Sequence, residues 1–98
     1  INAPDLFTSG VTICRGLPEE MRIPCVEGLS GGMMKYGEPS KEYIKGFAFC
    51  DASILQEDER EACYGYIIPR FRIWYSEEKI RTICANIKEP YKGYCPRN

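Results

Sequence analysis

Two windows of this chain, Thr12 to Cys25 (TICRGLPEEMRIPC) and Thr82 to Cys95 (TICANIKEPYKGYC), have one length and one frame. They match at Thr12/Thr82, Ile13/Ile83, Cys14/Cys84, Glu19/Glu89 and Cys25/Cys95, and they pair Leu17 with Ile87 and Arg22 with Lys92. A third cysteine pair, Cys50 and Cys63, lies between them, with twelve intervening residues where the others have ten. The windows are offset by 70 residues and Cys50 falls near the middle, so the natural period is about 35. A fixed period of that size is the signature of stacked helical hairpins. The expectation is an all-α fold, a short array of disulfide-stapled antiparallel helical hairpins.

Ninety-eight residues make one domain, 1–98, too short for two independent cores. Six cysteines in so short a chain read as a disulfide framework, and hence an oxidising compartment: secreted, periplasmic or extracellular. No C-x-x-C occurs and there is no histidine. That removes c-type haem attachment, mixed cysteine–histidine zinc sites and any mechanism with imidazole as base. No metal and no cofactor is expected. Thirteen basic and fourteen acidic residues leave a net charge of −1, and no basic block forms a nucleic-acid footprint. No apolar run reaches the length of a membrane span. The start at Ile1, without methionine, reads as a mature product or an excised fragment.

Along the chain, residues 1–13 have little periodicity, and Pro4, Ser9 and Gly10 suggest an extended start with Val11 and Ile13 packing near Cys14. Pro18 suits the first position of a helix, followed by Glu19 and Glu20 where the dipole favours negative charge. That helix is expected over about 19–35, kinked by Pro24 and weakened by Gly31-Gly32. After the break Tyr36-Gly37-Glu38-Pro39, a stripe of Tyr43, Ile44, Phe47 and Cys50 marks a second helix. Ser53 to Gln56 reads as a capping box before Glu57, Asp58 and Glu59. The next helix carries Ala62, Cys63, Tyr66 and Ile67 inward and ends or bends at Pro69. Ser76 then caps a helix with a buried stripe of Ile80, Ile83, Cys84 and Ile87. A last helical turn begins at Glu89-Pro90 and stops at Cys95-Pro96.

Six cysteines allow fifteen pairings. The turns near residues 17, 55 and 89 each lie between two cysteines, which favours the local set Cys14–Cys25, Cys50–Cys63 and Cys84–Cys95. An alternative also satisfies the symmetry: Cys25–Cys50, Cys63–Cys84 and Cys14–Cys95, with the first two straddling turns near 37 and 74.

The segments Thr12-Ile13-Cys14, Cys25-Val26-Glu27-Gly28, Phe49-Cys50, Cys63-Tyr64-Gly65-Tyr66, Thr82-Ile83-Cys84 and Cys95 lie in hairpins of about 35 residues. In this, residues 12–95 resemble the secreted, cysteine-rich bacterial members of the tetratricopeptide superfamily. Here the cysteines are wider apart than in those proteins, and their alanine–glycine contact pattern is missing. The resemblance implies a binding or scaffolding role without catalysis.

The acidic cluster Glu57, Asp58, Glu59 and Glu61 reads as a solvated helix start rather than an acid–base pair. Gly31-Gly32-Met33-Met34 lacks a phosphate-loop lysine and reads as a helix defect. No catalytic residue is assigned. The better functional segment is aromatic and basic: Arg70, Phe71, Arg72, Trp74 and Tyr75 combine the residue types of binding hot spots, with Tyr64, Tyr66 and Arg81 nearby. Core filling is the bland explanation for those rings. The expected partner is protein, with copies of this chain among the candidates. Neither end reads as a polar cap: Leu6, Phe7, Val11 and Ile13 at one end and Tyr91 and Tyr94 at the other are apolar or aromatic. They are the candidates for head-to-tail self-association into a structural or filament subunit. The competing possibilities are an N-terminal segment folded back on its own core, and a soluble secreted ligand such as a toxin, effector or pheromone.

Overall fold

The computed structural model describes residues 3–96, and every regular element among them is helical. Four helices follow one another through short breaks: α1 (Ala3–Arg15), α2 (Glu19–Lys35), α3 (Glu42–Cys50) and α4 (Glu57–Ile67). A 3-10 turn (Ile68–Arg70) leads into the single-turn α5 (Phe71–Trp74), then α6 (Glu77–Cys84) and a final 3-10 turn (Tyr91–Tyr94). Helix α2 is central and packs against α1, α3 and α4.

The N-terminal segment is helical, not extended; residues 1 and 2 of that expected segment lie outside the described residues. Pro4 falls in the first turn of α1, where a missing N–H costs nothing. Phe7, Val11 and Cys14, spaced i, i+4, i+7, form a buried face that outweighs the poor helix propensity of Ser9 and Gly10. The small residue has a use here. A Cβ on Gly10 would lie 3.0 Å from Leu29 Cδ1, so α1 and α2 approach closely at that point.

Helix α2 has the expected limits and runs through Pro24. In α3 the inward stripe is rotated from expectation: Ile44 is exposed, whereas Phe49 is fully buried. Gly46 explains the rotation. It is buried, and a Cβ there would lie 2.9 Å from Met34 Sδ and 3.1 Å from Ile67 Cδ1, so α3 seats against α2 and α4 through its bare backbone. Helix α4 is capped at Gln56, not Ser53; the Gln56 N–H donates to Glu59 Oε1 at 2.8 Å. Pro69 ends it as expected, within the 3-10 turn. Ser76 Oγ caps α6 by accepting from the Lys79 N–H at 3.2 Å, and Ile80, Ile83, Cys84 and Ile87 are all buried.

The three disulfides are the local set. Cys14–Cys25 joins α1 to α2, Cys50–Cys63 joins α3 to α4, and Cys84–Cys95 ties α6 to the end of the last turn, with Cα–Cα distances of 5.5, 5.4 and 6.2 Å. The pairing Cys25–Cys50, Cys63–Cys84, Cys14–Cys95 does not occur. Closing loops this short contributes about 2–3 kcal/mol each in the chain-entropy account. Between α3 and α4 the chain is held by Arg60, whose guanidinium donates to the carbonyls of Cys50, Ala52 and Leu55 at 2.9, 3.3 and 3.1 Å.

Candidate binding groove and the opposing ionic clamp

Helix α6 is short, and its two faces have different fates. Ile80, Ile83, Cys84 and Ile87 are all buried, and Ile80 and Cys84, with Glu77, Arg81 and Ala85 at spacing i, i+3, i+4, i+7, i+8, also line one wall of an open groove of about 690 Å³. The other wall comes from Lys92, Gly93, Cys95 and Pro96, with Arg72 reaching in from α5. The Cys84–Cys95 bridge joins the two walls, so the groove has a covalently fixed width at that point. Its lining is unusual for an acidic protein: three cations face one carboxylate. Among the described residues, the side chains of Arg72, Arg81 and Lys92 have no hydrogen-bonding or ion-pair partner. The volume falls in the range of ligand sites. On the opposite face of α6 a smaller cleft of about 260 Å³ is already satisfied: Tyr64 donates to Asp51, and Lys88 Nζ pairs with Asp51 Oδ1 at 3.0 Å.

Beside the groove, α5 divides its side chains sharply. Phe71 is fully buried, its ring edge-on to Phe47 and Tyr75. Ile73 is 73% exposed and Trp74 39% exposed. The Arg70 guanidinium lies 3.6 Å from the centre of the Tyr66 ring and donates to the Tyr66 carbonyl at 2.9 Å. Tyr75 is half-buried. Its hydroxyl accepts from the Tyr43 N–H and donates to Glu42 Oε1, both at 2.9 Å. Of the five residues expected to bind protein, then, Arg70, Arg72 and Trp74 face solvent, Tyr75 is a structural strut and Phe71 belongs to the core. Phe71 drops out as a contact residue, because its fully buried ring is what anchors that turn.

The residues expected at sticky ends divide the same way. Phe7 packs edge-on against Phe49, Val11 is fully buried, and Tyr91 stacks on Tyr64 with centroids 4.2 Å apart while donating to Glu57. Tyr94 lies over Gly65 and donates to Glu61 Oε1 at 3.2 Å. Those three rings and one valine close this chain's own core. Leu6 and Ile13 are exposed, Ile13 to 67%.

Sequence reading missed Glu59. It is not part of a solvated face: it is 0% exposed. Arg15 holds it through Nη2–Oε1 at 2.6 Å and Nε–Oε2 at 3.2 Å, and Arg22 Nη1 reaches Oε2 at 3.0 Å. Arg22 also pairs with Asp58 at 2.6 Å and Glu19 at 2.8 Å, while Arg15 donates to the Ile54 carbonyl at 2.6 Å. Burial pushes the Glu59 carboxyl up, but the bonds from Arg15, the Gln56 N–H and Arg22 outweigh it and hold the group below its ordinary value. The Arg22 bond likewise holds Asp58 and Glu19 down. Here every cation is spoken for, and the cluster ties α1, α2 and α4 together. The arginines are 44 and 37 residues from Glu59, which is why no local pattern exposed them.

All six cysteines are bridged, and no group of three or more metal-ligating side chains is disposed around a common centre among the described residues. No described helix is long and apolar enough to cross a membrane. No protein-family model matches the chain, no curated protein matches its sequence, and no solved structure matches it.

Proposed function

We propose that this is an exported, non-enzymatic protein that works as a soluble ligand, contacting a protein partner through α5. The observation that carries this reading is the exposure of Ile73 and Trp74 on a turn anchored from beneath by Phe71 and flanked by Arg70 and Arg72. A rigidly held tryptophan with arginine neighbours is the composition of an interface hot spot, where little side-chain entropy is lost on contact. The three disulfides fit an oxidising compartment, which supports export. Saturable binding of labelled protein to cells of its source tests the reading. Unlabelled wild type should compete, and Trp74→Ala together with Ile73→Ser should compete at least tenfold less well. Equal competition refutes it.

Head-to-tail self-association is the second reading, and one observation favours it: Leu6 and Ile13 lie seven residues apart on one face of α1, both exposed. Sedimentation equilibrium separates the two. The ligand reading expects a monomer at every concentration; growth abolished by Ile13→Ser supports assembly.

A further inference from the structure

The groove between α6 and the C-terminal turn has no assigned occupant, and its chemistry is specific. We infer that it takes a short acidic segment of a partner protein, one whose carboxylates meet Arg72, Arg81 and Lys92 while an apolar side chain between them rests on Ile80, Ala85 and Pro96. This rests on the partner-binding reading of α5, whose Arg72 is shared by both surfaces.

Charge complementarity selects the occupant. The chain as a whole carries −1, yet the groove lining carries three cations against Glu77 alone. Arginine in particular reads carboxylates through two parallel N–H donors, and clusters of it are how acidic motifs are recognised. Elsewhere in this molecule that preference is satisfied internally: Arg15 and Arg22 take up Glu59, Asp58 and Glu19. In the groove the guanidiniums of Arg72 and Arg81 have no such partner among the described residues. The floor is apolar, so the occupant needs an apolar side chain as well as charge. The groove is open to solvent, so a segment of polypeptide can reach it. A second copy of this chain offers its densest run of carboxylates, the start of α4, only in engaged form: Asp58 by Arg22, Glu57 by Tyr91 and Glu61 by Tyr94.

The test uses a fluorescent hexapeptide alternating glutamate and leucine, and its counterpart with glutamine for glutamate. Binding to the oxidised full chain is followed by anisotropy, and the site by amide shifts of the labelled protein. The glutamate probe should bind at least tenfold more tightly than the glutamine probe, weaken as salt rises, and shift the amides of Arg81, Ala85 and Gly93. Arg81→Gln with Lys92→Gln should reduce its affinity at least tenfold. Lys41→Gln, a surface cation outside the groove, should change it less than twofold. Equal affinity for the two probes, shifts outside the groove, or no binding at millimolar peptide overturns the inference. A glutamine probe that binds as well as the glutamate probe, and loses affinity with Trp74→Ala, refutes the acidic segment while upholding the α5 contact. Binding of laurate but of neither peptide refutes it as well, and so does a dimer that either peptide dissociates.

Discussion

Arginine obeys opposite rules in two regions of this protein. Where α1, α2 and α4 meet, Arg15 and Arg22 are consumed by the fold, surrounding a carboxylate that has no access to water. In the groove beside α6, Arg72 and Arg81 are spent on nothing the described chain provides. A buried carboxylate forces its cations to be structural, since leaving it unpaired costs several kcal/mol. A groove floored by apolar atoms exerts no such demand, and its cations are left for something else. The lesson is that charge type says little until burial of the counter-charge is known.

The sharpest way to break this contrast is Glu59→Ala. Among the described residues it takes from Arg15 its only carboxylate and from Arg22 one of three, leaves the Gln56 N–H without its acceptor beside an empty buried site, and should cost about 3 kcal/mol, read as a lower urea midpoint. Arg81→Ala in the groove should stay within about 0.5 kcal/mol. If the two substitutions cost the same, the distinction between the regions collapses. Next comes α5, where neighbours differ. Phe71→Ala should cost about 3–5 kcal/mol and Ile73→Ala less than about 0.5.

Titration sharpens the contrast from another side. Glu59, Asp58 and Glu19 are held below their ordinary values, so the stability they supply is present above about pH 4 and lost as pH falls through their folded values. Tyr64, Tyr91 and Tyr94, which tie the C-terminal turn to α4, are shifted the other way. Burial is the first cause in each, with carboxylate neighbours adding to it. Their contribution is present below about pH 10 and lost as pH rises further. The urea midpoint should therefore decline below about pH 4 and again above about pH 10. Glu59→Gln should flatten the acid limb and leave the alkaline limb alone. An acid limb unchanged in that variant would assign acid sensitivity to other groups. An effect of the opposite sign is expected at Ser40, whose φ of 68° lies in the left-handed region. Ser40→Gly should stabilise by about 1 kcal/mol, seen as a small rise in midpoint.

Much of the chain was legible because its signals are local. The limits of α2, the Ser76 cap, the Ile80/Ile83/Cys84/Ile87 stripe and the three cysteine hairpins all depend on residues close in sequence, the paired cysteines being 11 to 13 residues apart. What escaped depended on distant partners. Pro4, Ser9 and Gly10 read as breakers because Leu29, which packs against Gly10, is far along the chain. The Phe7/Val11/Cys14 spacing was the countersignal. Ile44 reads as core because Gly46 has no hydropathy to announce that it is the contact point. Glu59 looked like its acidic neighbours, and nothing next to it in sequence marks it as the one that is buried. In the groove, Arg72 and Arg81 belonged to the basic and aromatic segment picked out by composition, but Lys92 joined them only through the Cys84–Cys95 bridge.

Tyr75 gives the molecule a built-in reporter. Helix α3 lacks a capping side chain at Lys41, and the hydroxyl that serves its first turn arrives from the far end of α5, directly after Trp74. Were that oxygen to move away, the amide proton of Tyr43 would lose its shelter, so its exchange rate with deuterium reports the position of Tyr75 at the end of α5.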